Sequence, residues 1–214
     1  MIGTVVYAGS VAVRPYLRPR PDDTSPSATE SRVLAAAEKL IDAGTFHQAT
    51  VAELAEHAGV ARATVFGRFG SKLGVLEALS VRCSGGPEIR AVREAFLVDD
   101  PRAALPAVVA AAAALWERQG HILLTAKAVV ELEPGAIRII DEQRADQRRS
   151  VEGLVARLVG AGALRDGLDA DEAVATLHMI TSVESFVELR RHGGVSPERT
   201  VELLTQLAVT LLSA

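Results

Sequence analysis

The chain has 214 residues, 49% of them apolar, with a single cysteine, five histidines and a formal net charge of −4. One thiol (Cys83) excludes an intrachain disulfide and a thiolate metal cage, the histidines show no HxxxH or HExxH spacing, and no apolar run reaches the roughly 18 charge-free residues of a membrane span. The negative total misleads locally: residues 28–85 balance acid and base, the acidic excess lies beyond them, and every charged side chain from 57 to 76 is basic (Arg62, Arg68, Lys72).

In chain order, the apolar start Met1–Val13 lacks the basic region of a signal peptide, so a cytoplasmic protein is expected. Pro15, Pro19, Pro21 and Pro26 exclude a continuous helix before Ser27. Residues 1–27 read as a flexible arm. Its Arg14, Arg18 and Arg20 either follow a minor groove or belong to an inert tail.

From Ser27 onward the pattern is all-α. Ser27-x-x-Glu30 is a capping box for a helix ended by Gly44, Thr50-x-x-Glu53 is a second, and Ser71 opens a helix to about Cys83 that Gly85-Gly86-Pro87 breaks. Asp100-Pro101 starts an alanine-rich helix expected to end at Gly120, followed by another from about Ile122 to Glu133. Pro134 is expected to open a long helix to about Val159, Asp169-x-x-Glu172 one to about His192, and Ser196-Pro197 the last. The expected division is an arm (1–27), a first helical domain (28–84) and a larger helical domain (85–214).

The tightest motif is residues 50–69. Val51, Leu54 and Ala55 share one face of a short helix. Gly59 suits a left-handed turn, and Val60 and Val65 give apolar contacts from the next segment. The outward face of the second helix separates this pattern from an ordinary helical hairpin. Arg62, Thr64 and Arg68 are donors, and Ala61, Ala63 and Gly67 keep the bulk low, as a helix in a major groove about 12 Å wide requires.

The run from Glu30 to Leu79 resembles the N-terminal domain of the TetR/AcrR family of bacterial regulators. The matching residues are Ala36, Leu40, Gly44 and Phe46, then Thr50, Val51, Leu54, Ala55, Ala58, Gly59 and Val60, then Thr64, Val65, Phe66, Phe69, Ser71, Lys72 and Leu76. The resemblance implies a homodimeric regulator, with a three-helix helix-turn-helix DNA-binding domain (28–84) and a larger helical ligand-binding and dimerisation domain (85–214). By position, Thr50 would cap its helix and touch phosphate. Ala61, Arg62, Ala63 and Thr64 would face bases or nearby backbone, Phe66, Gly67 and Arg68 would continue that face, and Lys72 would reach phosphate with its side chain or backbone. Phe66 stands where the family usually has Tyr, which removes a hydroxyl-to-phosphate bond, and Gly67 removes a side chain that often helps reading.

Residues 86–214 carry no comparable motif. Placed at about 100° per residue, Ala173, Leu177, Met179, Ile180, Val183, Phe186 and Val187 cover an arc of about 180°. Such width suits a helix buried on two sides. Leu177, Ile180, Val183 and Val187, with Leu204, Leu207 and Leu211 of the last helix, are therefore expected in a four-helix dimer interface. Glu184 falls inside the arc and needs a partner such as Arg190, or lines a pocket. Trp116, His121, Thr125, Met179 and Glu131 are candidate lining of an effector cavity. No cofactor or metal is expected. No nucleophile–base pair or phosphate loop occurs, and Gly70-Ser71-Lys72 lacks the glycine loop that would precede it, so no enzyme is expected.

The reading is a ligand-responsive transcriptional regulator, a repressor released from a palindromic duplex operator by a small molecule. The alternatives are an activator of the same fold and a helical ligand-binding module with weakened DNA binding.

Overall fold

A computed structural model describes residues 27–131 and 137–214. Their regular elements are helical: α1 (Ala28–Asp42), α2 (Val51–Ala58), α3 (Arg62–Phe69), α4 (Lys72–Ser84), α5 (Pro87–Phe96), α6 (Pro101–Glu131), α7 (Ile137–Gly160), α8 (Ala170–Ile180), α9 (Val183–Val187), a π turn (Glu188–His192) and α10 (Pro197–Leu212). The expected arm, the expected start at Pro134 and the side chain of Glu131 lie outside the described residues.

The helix starts follow from short-range chemistry. At α1, the Ser27 hydroxyl accepts from the Glu30 N–H at 3.3 Å while the Glu30 carboxylate accepts from the Ser27 N–H at 2.7 Å. At α2, the Glu53 N–H donates to the Thr50 hydroxyl at 3.2 Å and the Glu53 carboxylate answers at 2.7 Å. Each box satisfies two donors that a helix end leaves open. Ser71, Asp169 and Ser196 cap α4, α8 and α10 through side-chain oxygens that accept first-turn N–H groups.

One expectation about the elements is extended and two are corrected. Gly-Gly-Pro does end α4, but Pro87 then serves as the first residue of α5, whose Ile89, Val92 and Phe96 are buried. The break expected at Gly120 does not occur: α6 runs through it for 31 residues. Gly120 is buried, and a Cβ there would lie 3.3 Å from a Val183 methyl. A side chain there would press on Val183 of α9 by a few tenths of an ångström. The helix expected from Asp169 to His192 instead stops at Thr181. There the Thr181 hydroxyl donates to the Leu177 carbonyl at 2.8 Å, Ser182 recaps the chain by accepting from the Ser185 N–H at 3.1 Å, and the Trp116 indole donates to the Thr181 carbonyl at 2.9 Å. Three groups thus supply the backbone with an alternative to the helical ladder.

Two buried clusters result. Val33, Ala37, Phe46, Leu54, Val65 and Leu79 centre the one formed by α1–α4, and the larger one spans α5–α10. Helix α6 joins them. It belongs mainly to the second, yet its Ile122 is buried in the first, and its His121 Nε2 lies 3.1 Å from the Asp42 carboxylate at the end of α1.

Candidate nucleic-acid interface

The interface is built on the α2–turn–α3 unit. Helix α2 ends at Gly59, whose φ of 63° is left-handed, and the chain turns through Val60 and Ala61 into α3. The Arg32 guanidinium donates to the Gly59 carbonyl at 3.5 Å, tying the turn to α1. Leu54, Ala55 and Val65 are buried and fix how deep α3 sits.

At about 100° per residue, burying Val65 and half-burying Phe69 leaves a defined outward sector. Ala63 and Gly67 form its middle, and a Cβ added at Gly67 would meet nothing within 4 Å. Arg62 and Phe66 rise on one side of this low strip, and Thr64 and Arg68 on the other. Arg62, Phe66 and Arg68 are exposed, and Thr64 is half-buried. Ala61 is exposed at the N-cap of α3 and contributes no side-chain cap bond. Thr50 caps α2 as expected.

Two pairings in this surface have no local sequence signal, because their partners lie 38 and 23 to 26 residues away. Arg68 Nη1 contacts the Glu30 carboxylate at 3.4 Å. That carboxylate is held below its usual pKa, first by the Ser27 backbone N–H. Lys72, expected to face phosphate, has its ammonium turned inward. It donates to the carbonyls of Phe46 (3.1 Å), His47 (2.9 Å) and Ala49 (3.1 Å) and stands 5.2 Å from the centroid of the Phe46 ring. Its side chain clamps the α1–α2 connection, and in this arrangement it is not presented to a ligand.

Gly74 is a further residue that the motif does not reveal. A Cβ there would lie 1.9 Å from the Phe69 carbonyl oxygen, so α4 can press against the end of α3 only because Gly74 has no side chain.

The candidate cavity residues have other occupations. Trp116 closes the break at Thr181, His121 faces Asp42, Thr125 is half-buried on α6, and Met179 is 56% exposed. Glu184 is exposed and pairs with Lys127, while Arg190 pairs with Glu117 through Nε at 3.1 Å and Nη2 at 3.2 Å. Of the residues expected to meet a second subunit, Leu177, Ile180, Val183 and Leu204 are buried within their own chain, Val187 and Leu211 are half-buried, and Leu207 is 46% exposed. The wide apolar arc came from laying two helices, α8 and α9, on one continuous wheel. The large apolar side chains left exposed on α8 and α10 are Met179, Leu207 and Val209, and Ala175 and the half-buried Leu203 stand one turn before Met179 and Leu207.

The family described as bacterial regulatory proteins, tetR family, matches residues 33–79. No curated protein matches the chain in sequence. Among solved structures, the chain is similar to NalD, the secondary repressor of the MexAB-OprM multidrug efflux pump in Pseudomonas aeruginosa, at 22% identity and a TM-score of 0.70, with 88% of this chain and 98% of that one covered. It is similar to the TetR family regulator PfmR from Thermus thermophilus at 23% identity and a TM-score of 0.68, covering 88% and 99%. It is also similar to SmeT in complex with triclosan at 17% identity and a TM-score of 0.68, covering 88% and 93%. Residues 33–79 thus match the tetR-family model, in a chain that has the fold of a solved regulator of that family.

Proposed function

We propose that the chain is a DNA-binding transcriptional regulator, a repressor that a small molecule releases from a palindromic operator. The observation that carries this reading is the outward sector of α3, a smooth Ala63–Gly67 strip flanked by Arg62–Phe66 and Thr64–Arg68. A helix must present such a surface to enter a major groove, with donors for base edges and little bulk between them. NalD, described as a repressor, and SmeT, solved with triclosan, support the repressor and ligand parts by likeness of fold.

In this reading two chains pair through α8 and α10, around Met179, Leu203 and Leu207, and bring two copies of α3 to successive major grooves about 34–36 Å apart. A ligand held among α5–α10 favours another spacing of the two copies and draws the population away from the DNA-competent one. Helix α6, with Ile122 in the first cluster and Trp116 against Thr181 in the second, is the element that transmits such a change. Among the described residues no helix is long and apolar enough to cross a membrane.

Selection of random duplex DNA by the full-length chain tests the proposal. It should enrich an inverted repeat, with affinity falling by a factor on the order of 10³ or more between roughly 50 and 200 mM salt. Failure to enrich any sequence would favour the second reading, a helical ligand-binding module with weakened DNA binding. Its specific support is the inward Lys72 ammonium and the Arg68–Glu30 pair, which leave fewer cations for phosphate.

A further inference from the structure

We infer that Phe66 is a specificity-determining residue that reads the C5-methyl group of a thymine next to the guanine bound by Arg62. The inference rests on the proposal that α3 enters a major groove. Phe66 is a large apolar side chain, 40% exposed, on the outward sector of a short helix. With no donor or acceptor, it has nothing to offer a phosphate or a polar base edge. In the major groove each base pair displays donors and acceptors, and the one apolar group among them is the thymine methyl.

Two features aim the ring at base edges rather than at the sugar-phosphate wall. Ala63 and Gly67 flank it with almost no bulk, and a Cβ at Gly67 would meet nothing, so the helix can lie close. The Arg62 guanidinium stands 5.2 Å from the ring centroid, one helical turn away. That cation–π contact restrains both side chains before any DNA arrives. The two then present adjacent functions, a planar fork suited to guanine O6 and N7 and an aromatic edge suited to a methyl. A tyrosine at 66 would add a hydroxyl at the rim of this surface, whereas phenylalanine keeps it apolar.

The test uses the full-length chain and the duplex it selects. Each thymine is replaced in turn by deoxyuridine, which removes only the methyl, and affinity is read by fluorescence anisotropy. One thymine per half-site, beside a guanine, is expected to be sensitive. Losing its methyl should weaken wild-type binding about fourfold per half-site, the worth of burying one methyl group. Phe66→Ala should bind the thymine and uracil duplexes equally, and Phe66→Tyr should retain the sensitivity. Circular dichroism of Phe66→Ala should match the wild type, because the side chain lies outside both buried clusters. Specific binding in which no thymine is methyl-sensitive overturns the inference and leaves DNA binding standing. So does equal sensitivity in wild type and Phe66→Ala. Absence of any specific duplex removes the DNA-binding reading and this inference with it.

Discussion

At the scale of single residues, the same chemistry is used for two ends. Arg62 is exposed, restrained by Phe66 and directed outward. Lys72 is a cation of the same charge only ten residues later, yet three carbonyls hold its ammonium. Composition and motif place both in one basic run, and only long-range geometry separates them. Arg157 does at α5 what Lys72 does at α1. It donates to the carbonyls of Phe96 at 2.7 Å, Asp99 at 2.8 Å and Val98, binding the end of that helix. Replacing Lys72 by Met keeps much of the stem and removes the three bonds, leaving carbonyls around Phe46 short of a donor. The expected cost is about 2 kcal/mol of stability in urea denaturation followed by circular dichroism. Unchanged stability would show that the clamp is dispensable.

At the scale of elements, legibility in the sequence tracks the range of the interactions involved. The starts at Ser27, Thr50, Ser71, Asp169 and Ser196 are readable because each cap acts within three residues. The break at Thr181 is not, because His178 to Ser185 contains neither Gly nor Pro and the interruption depends partly on Trp116, 65 residues away. Gly120 misleads in the opposite sense: a residue type that ends helices here lies inside one, close against a neighbouring helix. Gly74 follows the same rule more severely. Gly74→Ala should destabilise the α1–α4 unit by about 2 kcal/mol or more, because the new Cβ meets a backbone oxygen that moves only with α3. Thermal denaturation would measure this. A Gly67→Ala control, with open space around it, should show little loss, since alanine also favours the helix.

At the scale of the whole molecule, the wheel drawn on residues 173–189 gathers side chains that the fold uses in different ways. Leu177, Ile180, Val183 and Leu204 already fill their own core, and the large apolar side chains left exposed on α8 and α10 are Met179, Leu207 and Val209. A sequence records that a residue is apolar, and whether a neighbour in the same chain has claimed it depends on where the helix breaks. If α8 and α10 pair with their copies, Leu207→Glu places a charge in a desolvated seam. Sedimentation should show a dimer for the wild type at micromolar concentration and a monomer for Leu207→Glu with the helical content kept. A monomeric wild type would contradict the pairing.

The claim on which the rest depends is that the outward face of α3 reads base pairs. Its most direct measurement compares the full-length chain and Arg62→Ala on the selected duplex and on a scrambled one. Arg62→Ala should lose about 1–3 kcal/mol per half-site on the selected duplex, roughly 5- to 150-fold in affinity for each, and much less on the scrambled one, so that discrimination collapses. Equal affinity of wild type and Arg62→Ala for the selected duplex would contradict the account.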